Sequence, residues 1–429
     1  MKKILIPFVC LLFLLAGFPV HADTTASFSV AAKSAIAVDA ASGKILYAQN
    51  ADDASTQIAS VTKLLTAYLV YKNVDEGKLT WETKAPISQY AYELTQNLDA
   101  SNIPLTKGEK ISVKDLLDAL LLPSANSAAV ALAEQIGGSE PKFVDMMNAQ
   151  LKAWGITDAK IYNASGLPNS VLGKNIYPGS SATDVNTMSA KDVAIVSYHL
   201  LKDYPQILNI TKQKTMPFDV NGASKTTLQT TNQMLGGFAQ VRSGVDGLKT
   251  GSTGYQVDCF VGTTMQNQFR IITVILDANS PAADNSTPFL LTNQLMNHIY
   301  GSWRTDTLAL KGKPYNKFTN FQLIDGKKKT VALVAKTDIL PVVPRNSDGT
   351  ADSSKLSVTA DKKLTSSLVA PVKKNQALVT LTTKVNDNLG YLPGSSGAHF
   401  TLVAQDNVDK ASPLVVMWNH FVNFVNEKL

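Results

Sequence analysis

Apolar runs of β type stand at both ends of a stretch of roughly 275 residues, and the interval between them reads as helical. From Ala35 to Tyr47 two such runs flank Ala41-Ser42-Gly43-Lys44, the pattern of a β-hairpin. Strands resume only after Lys249, at Cys259–Thr264 and Arg270–Asp277, followed by a helix near Pro288–Tyr300. Between the ends, Leu64, Leu65, Tyr68 and Leu69 repeat at helical spacing, from a start at Ser60 to a stop at Gly77. Val113–Leu122, Ala128–Ile136 (closed by Gly137-Gly138) and Ala190–Leu201 read as further helices. The pattern predicts one sheet assembled from distant segments beside a helical region, a mixed α/β (α+β) domain.

Past Tyr300 the texture changes. Val331–Ala335, Leu356–Val358, Ala377–Thr383 and Phe400–Ala404 are short β-rich runs separated by Lys, Asp, Asn and Gly, which predicts a separate small β domain. The last stretch differs again. At about 100° per residue, Leu414, Met417, Trp418, Phe421, Val422, Phe424, Val425 and Leu429 share one helical face. Asn419, His420, Asn423, Asn426 and Glu427 share the other, with Val416 out of place. Such a helix can lie in a membrane interface with Trp418 at headgroup level. Its scarcity of cations speaks for the alternative, a helix packed on the β domain, but its place at the end of an exported chain favours the membrane.

The 429-residue length suits two domains, and 45% hydrophobic with 17% charged residues fits an ordinary buried core. The first residues stand apart from the fold. Lys2 and Lys3 precede an apolar run from Ile4 to Val20, and Val20-His21-Ala22 has the form of a signal-peptidase site. The run is short for a membrane span. Expected divisions are therefore residues 1–22 as signal peptide, 23–305 as the main domain, 306–410 as the β domain and 411–429 as the amphipathic helix. Cys10 falls in the leader, in a poor lipoprotein context, so the exported chain keeps only Cys259. That excludes an internal disulfide, and within its strand-like run Cys259 reads as a small buried residue. Charge is uneven: residues 23–305 hold 22 basic and 24 acidic side chains, residues 306–410 hold 15 and 9. The positive end is either a solvated lysine face or a surface for an anionic wall or lipid. An exported chain without an aromatic-basic stacking pattern is not expected to bind nucleic acid.

Three short motifs fall where they can close one cavity: Ser60-Val61-Thr62-Lys63, Ser124-Ala125-Asn126 and Lys249-Thr250-Gly251. A serine hydroxyl needs a base to become a nucleophile. Histidine usually serves, but His21 lies in the leader. No Gly-x-Ser-x-Gly elbow accompanies His199, His298, His399 or His420, which read as structural or surface residues. Ser-x-x-Lys offers another route, because residues three apart on a helix share a face. A lysine with a pKa near 10.4 needs a depression of about three units to be neutral near pH 7, roughly 4 kcal/mol. Burial and a second cation act in that direction, and Lys249 could be that cation. Ser60 at a helix start also leaves its backbone N–H free toward an oxyanion.

Pro123–Ala128 reads as a loop entering a helix, where Ser124 or Asn126 alone would suit a cap. Beside the other motifs, Ser124 can relay a proton between Lys63 and a leaving amine, while Asn126 hydrogen-bonds a substrate amide. Lys249, with neighbouring hydroxyls on an edge strand, could hold a carboxylate, and Gly251 would let a substrate backbone approach. The Gly-x-x-x-x-Gly-Lys-Thr phosphate loop is absent, since Gly247-Leu248 precedes the lysine. No His/Cys/Asp cluster has metal-ligand spacing, and neither metal nor cofactor is expected.

This trio is the signature of penicillin-binding proteins and class A β-lactamases. The chain resembles the low-molecular-mass penicillin-binding proteins that are D-alanyl-D-alanine carboxypeptidases. The resemblance is carried by Ala41–Tyr47, Ile58–Leu64, Leu120–Asn126, Ala164-Ser165-Gly166-Leu167-Pro168, Ser189-Ala190-Lys191-Asp192 and Val245–Gly251, over about residues 30–300. It implies a β-lactamase/transpeptidase-like domain with a central antiparallel sheet and a helical subdomain. The β domain and tail helix resemble this subfamily's C-terminal domain and membrane anchor. It further implies Ser60 as acyl-enzyme nucleophile, Lys63 as proton acceptor and Ser124 as third catalytic group. Lys249, Thr250, Gly251, Ser252 and Thr253 would form the substrate wall, Lys249 binding the terminal carboxylate of a D-Ala-D-Ala stem peptide. The N–H groups of Ser60 and Ser252 would form the oxyanion hole, and β-lactams would be covalent inhibitors. Gly254-Tyr255 follows Thr253 at once, where many relatives insert several residues, which bears on the outer pocket.

Two other readings stand beside this one. A class A β-lactamase needs a deacylating glutamate in a Glu-x-x-Leu-Asn pattern between the second and third motifs. Only Glu134 and Glu140 lie there, and neither starts it. A non-catalytic wall-binding scaffold would have no need of an intact trio.

Overall fold

The computed structural model describes residues 28–97, 100–220, 224–253, 256–278, 285–361 and 368–428. The expected signal peptide, residues 1–22, lies outside them, as does the Gly254-Tyr255 pair. Five strands form the main sheet: β1 (Ala32–Asp39), β2 (Ile45–Gln49), β3 (Val245–Thr253), β4 (Gln256–Gln266) and β5 (Phe269–Ala278). Their order is β2-β1-β5-β4-β3, antiparallel throughout. The early hairpin thus pairs with the late strands, Ile36 standing opposite Val274 and Val38 opposite Ile272.

Both faces of the sheet are covered, so its central strands are apolar on both sides rather than alternating. Ile36, Val38, Ile272, Val274 and Leu276 face the helical region. That region contains α1 (Lys63–Asp75), α2 (Val113–Leu121), α3 (Asn126–Gly137), α4 (Glu140–Ala153) and α5 (Ala190–Asp203). Ala35, Ala37, Ile271 and Ile275 face the other way, against Phe289, Leu295, Met296 and Ile299 of α6 (Thr287–Ser302). The sequence reading passes over α4, although Ser139 caps it, Pro141 opens it, and Phe143, Met147 and Leu151 recur every fourth residue on its buried side. Cys259 is fully buried in β4.

A second sheet follows, of β6 (Asn320–Ile324), β7 (Thr330–Ala335), β8 (Leu356–Ala360), β9 (Leu368–Val369), β10 (Ala377–Val385) and β11 (Ala398–Ala404). Its order is β8-β10-β11-β7-β6-β9, and it encloses its own core around Leu333, Leu381 and Leu402. The loop after β10 reaches back to the first hairpin. Leu392 N–H donates to the Gly43 carbonyl at 2.8 Å, and Ile45 N–H to the Gly390 carbonyl at 3.1 Å. Beneath them Lys44 is buried, its Nζ donating to Asp387 Oδ1 (2.7 Å), the Ile45 carbonyl (2.7 Å) and the Gly390 carbonyl (3.0 Å). The chain ends in α7 (Pro413–Lys428).

Candidate active site

Ser60 stands on a single 3-10 turn, Ala59–Thr62, that runs into α1. Ala59 has φ +44°, a left-handed conformation that costs a residue with a Cβ about 1 kcal/mol or more. Asn186 holds this turn from one side. Its carbonyl accepts from Ile58 N–H at 3.2 Å, and its Nδ2 donates to Thr62 Oγ1 at 3.1 Å and to the Asn163 carbonyl at 2.9 Å. One helical step on, Lys63 Nζ lies 2.8 Å from Ser60 Oγ, the approach that Ser-x-x-Lys spacing permits.

Lys63 is wholly buried. Its other two contacts are Asn126 Oδ1 and the Ser165 carbonyl, both at 2.7 Å and both neutral. Burial, and then the charge of Lys249, hold its amine well below the ordinary lysine value. Lys249 is buried too, on the edge strand β3, where burial pulls it down to about 7. Its Nζ donates to the Thr250 carbonyl at 3.0 Å. Thr250 Oγ1 lies 2.6 Å from Thr231 Oγ1. Ser252 is exposed further along the same strand. Thr253 ends β3, and its side chain lies outside the described ones.

The second motif differs from the cap that its sequence alone would suggest. Ala125 is the N-cap of α3 and offers no side-chain bond. The segment before α3 supplies the capping instead: the Ser101 carbonyl accepts from Asn126 N–H at 3.0 Å, and Asn102 Oδ1 accepts from Ser127 N–H at 2.9 Å. Ser124, at φ +65°, is thereby left with a buried hydroxyl that has no hydrogen-bond partner among the described residues. Asn126 is turned inward, Oδ1 to Lys63 and Nδ2 to the Ser101 carbonyl at 2.9 Å.

Gly251 also has a reason within the fold itself. A Cβ there would stand 2.8 Å from the Ile58 carbonyl oxygen and 3.2 Å from Val61 Cγ2. The backbone that needs the room is the chain's own serine-bearing turn, pressed against β3. Gly166 meets the same turn from the opposite side, at φ +86°, where a Cβ would overlap the Ala59 carbonyl.

Asn163, Asn186, Thr231 and Ser101 belong to none of the three motifs. Asn163 Oδ1 accepts from the N–H groups of Ser165 (3.2 Å) and Gly166 (2.7 Å), which fixes the carbonyl that faces Lys63. Only the Ala164–Pro168 block hinted at this loop; isolated asparagines carry no pattern to read. Glu140 is fully buried, raised to about 7 by burial, and accepts from Ala164 N–H at 2.9 Å. Among the described residues no group of three or more His, Cys, Asp or Glu is placed to hold a metal ion.

A serine bonded to an uncharged-leaning lysine, with a second lysine on a neighbouring edge strand, defines a serine acyl-transfer enzyme with a lysine base. The model of the family described as D-alanyl-D-alanine carboxypeptidase, Peptidase S11, matches residues 20–280. The chain belongs to this family of serine carboxypeptidases, among the low-molecular-mass penicillin-binding proteins. Residues 303–410 match the model described as penicillin-binding protein 5, C-terminal domain. The D-alanyl-D-alanine carboxypeptidase DacF of Bacillus subtilis is 28% identical over 360 residues, 84% of this chain and 83% of that relative. DacC of Escherichia coli is 28% identical over 412 residues, 95% and 92% of the two chains. The solved structure of PBP3 from Streptococcus pneumoniae, a peptidoglycan synthesis regulatory factor, is 40% identical with a TM-score of 0.78, covering 89% of this chain and 100% of that one.

Proposed function

We propose that this protein removes the terminal D-alanine from peptidoglycan stem pentapeptides through an acyl-enzyme on Ser60. The observation that carries the mechanism is the Lys63 amine, 2.8 Å from Ser60 Oγ, buried with no carboxylate beside it among the described residues. In its neutral form Lys63 takes the Ser60 proton as Oγ attacks the penultimate D-alanine carbonyl. The N–H groups of Ser60 and Ser252 stabilise the oxyanion. Ser124, whose hydroxyl has no hydrogen-bond partner among the described residues, relays that proton: it gives its own to the departing D-alanine amine as the C–N bond breaks and takes one back from Lys63. Water then hydrolyses the ester and Ser60 recovers its proton.

Lys249 holds the carboxylate of the terminal D-alanine, with Thr250, Ser252 and Thr253 beside it. A bound carboxylate favours the charged amine, so substrate raises the Lys249 pKa above its free value of about 7. Asn126 chiefly orients Lys63, and its remaining Nδ2 hydrogen is available to a substrate amide. β-Lactams acylate the same serine, and their opened ring stays attached in place of a leaving group.

Residues 1–22 serve as a cleaved signal peptide, which places the enzyme on the outer side of the cytoplasmic membrane. The working divisions are 23–305, 306–410 and 411–429. No helix of the described residues is long and apolar enough to cross a membrane. The last helix instead lies on a membrane surface, a reading supported by its exposed Leu414 (75%), Met417 (66%) and Trp418 (64%).

A fluorescent penicillin should label the protein covalently, and Ser60→Ala should end the labelling; labelling that survived would remove Ser60 as nucleophile. D-alanine release from a pentapeptide separates the carboxypeptidase from a scaffold, and rapid penicillin turnover would point to a lactamase. The last is disfavoured by Glu140, which is engaged with the Ala164 backbone.

A further inference from the structure

The tail helix presents a physical difficulty as a membrane-binding element. An interfacial helix usually carries lysines or arginines on its polar face, and from Pro413 to Glu427 this one carries none. The structure supplies cations from elsewhere. Three turns of the β domain are laced together where α7 begins. Gly326 bridges to Lys410, Val372 bridges to Val408, and Lys374 N–H donates to Asn407 Oδ1 at 2.8 Å. These turns carry six exposed lysines: Lys327, Lys328, Lys329, Lys373, Lys374 and Lys410. Only Lys327 has an ion-pair partner among the described residues, Asp409 at 3.1 Å, and the one other exposed acid in these turns is Asp406.

The helix and the residues that lead into it are fastened to this same corner at two points. Ala411 N–H donates to the Asp325 carbonyl at 2.7 Å. Within the helix, His420 Nε2 lies 2.9 Å from Asp325 Oδ1. Asp325 opens the turn that carries Lys327, Lys328 and Lys329, so α7 cannot lie far from them. Meanwhile Trp418, Phe421 and Phe424 remain exposed at 57–64%.

We propose that this lysine corner binds the anionic phospholipid headgroups of the surface on which α7 lies, the lysines and the helix acting as one two-part membrane site. The inference rests on the reading of α7 as a membrane-surface helix. Its occupant follows from charge complementarity beside an apolar face: phosphate diesters meet the ammonium groups while acyl chains meet Trp418, Phe421 and Phe424. Neither part is strong alone, and Asp325 ties the two together.

The test uses the exported chain and vesicles of phosphatidylcholine, alone or mixed in equal parts with phosphatidylglycerol. Sedimentation should show binding to the mixed vesicles at least about tenfold tighter, a preference that fades in high salt. The variant Lys328→Gln/Lys329→Gln/Lys373→Gln/Lys374→Gln should lose that preference and keep the weaker binding to phosphatidylcholine. Its release of D-alanine from soluble pentapeptide should be unchanged. Equal binding of the unaltered chain to both vesicles, or a preference that survives the four substitutions, overturns the lysine assignment while leaving helix attachment in place. Binding to neither vesicle, or binding that persists in Trp418→Ser/Phe421→Ser, overturns the attachment reading itself. If the four substitutions abolish capture on insoluble anionic wall polymer but leave lipid preference intact, the corner is a wall site and the proposal fails.

Discussion

The active-site cleft and the junction between the two sheets each bury lysine, and they treat it in opposite ways. At the junction, burial lowers the Lys44 pKa, and the hydrogen bond and charge of Asp387 oppose that shift. The Trp303 and Tyr391 rings add cation–π contact, each with its centroid 5.5 Å from Nζ. In the cleft, burial of Lys63 is reinforced by a like charge from Lys249, and its partners are a hydroxyl, an amide and a carbonyl, all neutral. The same side chain is thus a cationic clasp in one place and a base in the other. What decides between them is whether a carboxylate is buried alongside.

Substitutions that exchange the two roles provide the sharpest checks, and the largest effect is expected in the cleft. Lys63→Arg keeps a cation that cannot shed its proton near neutrality. Penicillin acylation, followed by gel fluorescence, should fall by about a thousandfold or more. An acylation rate near normal would show that the proton goes elsewhere. At the junction, Lys44→Met leaves the part-buried Asp387 with only the N–H groups of Leu389 and Gly390 and no cation, and should lower stability by about 2 kcal/mol. Denaturant unfolding measures that cost, while acylation per folded molecule should stay within about twofold.

The pH profile sharpens the contrast further. Lys63 must be neutral to act, so acylation should rise with pH through its depressed pKa. The removal of Lys249 takes away a like charge and lets the Lys63 pKa climb. In Lys249→Met the acid limb of the acylation profile should therefore move to higher pH; a shift toward lower pH would contradict the coupling. Carboxylate capture runs the other way, because Lys249 loses its proton above about 7 in the free enzyme. A bell-shaped kcat/KM for pentapeptide follows. The smallest effect is expected at the edge of the cleft, where Thr231→Val removes the partner of Thr250. One neutral hydrogen bond of about 1 kcal/mol corresponds to roughly fivefold in kcat/KM.

The sequence revealed the chemistry of the cleft more fully than its supports. Ser60 and Lys63 were readable because a three-residue helical offset has one geometric consequence, and the early hairpin was readable because its apolar runs had to pair somewhere. The role of Asn126 was only partly legible: its side chain faces Lys63 because Ser101 and Asn102 relieve it of capping, a relation across 25 residues that no local pattern records. Gly251 makes room for Ile58, a close approach of distant backbone that no local pattern records. Asn163 and Asn186 act through loop backbones, whose paths follow from tertiary packing and not from periodicity. The tail helix was legible as amphipathic, but its fastening to Asp325 was not.

The strand order has a consequence for how the molecule comes into being. β1 sits between β2 and β5, so the first hairpin meets its second neighbour only after more than two hundred further residues have been made. Ser60 lies early in that interval and Lys249 near its end. No growing chain can hold a charged Lys249 against Lys63 until the last strands have arrived, and pairing over such a separation is intrinsically slow. Until then Lys63 lacks the second of the two influences that hold its amine below the ordinary lysine value. The full reactivity of the nucleophile therefore waits on the same event that completes the sheet.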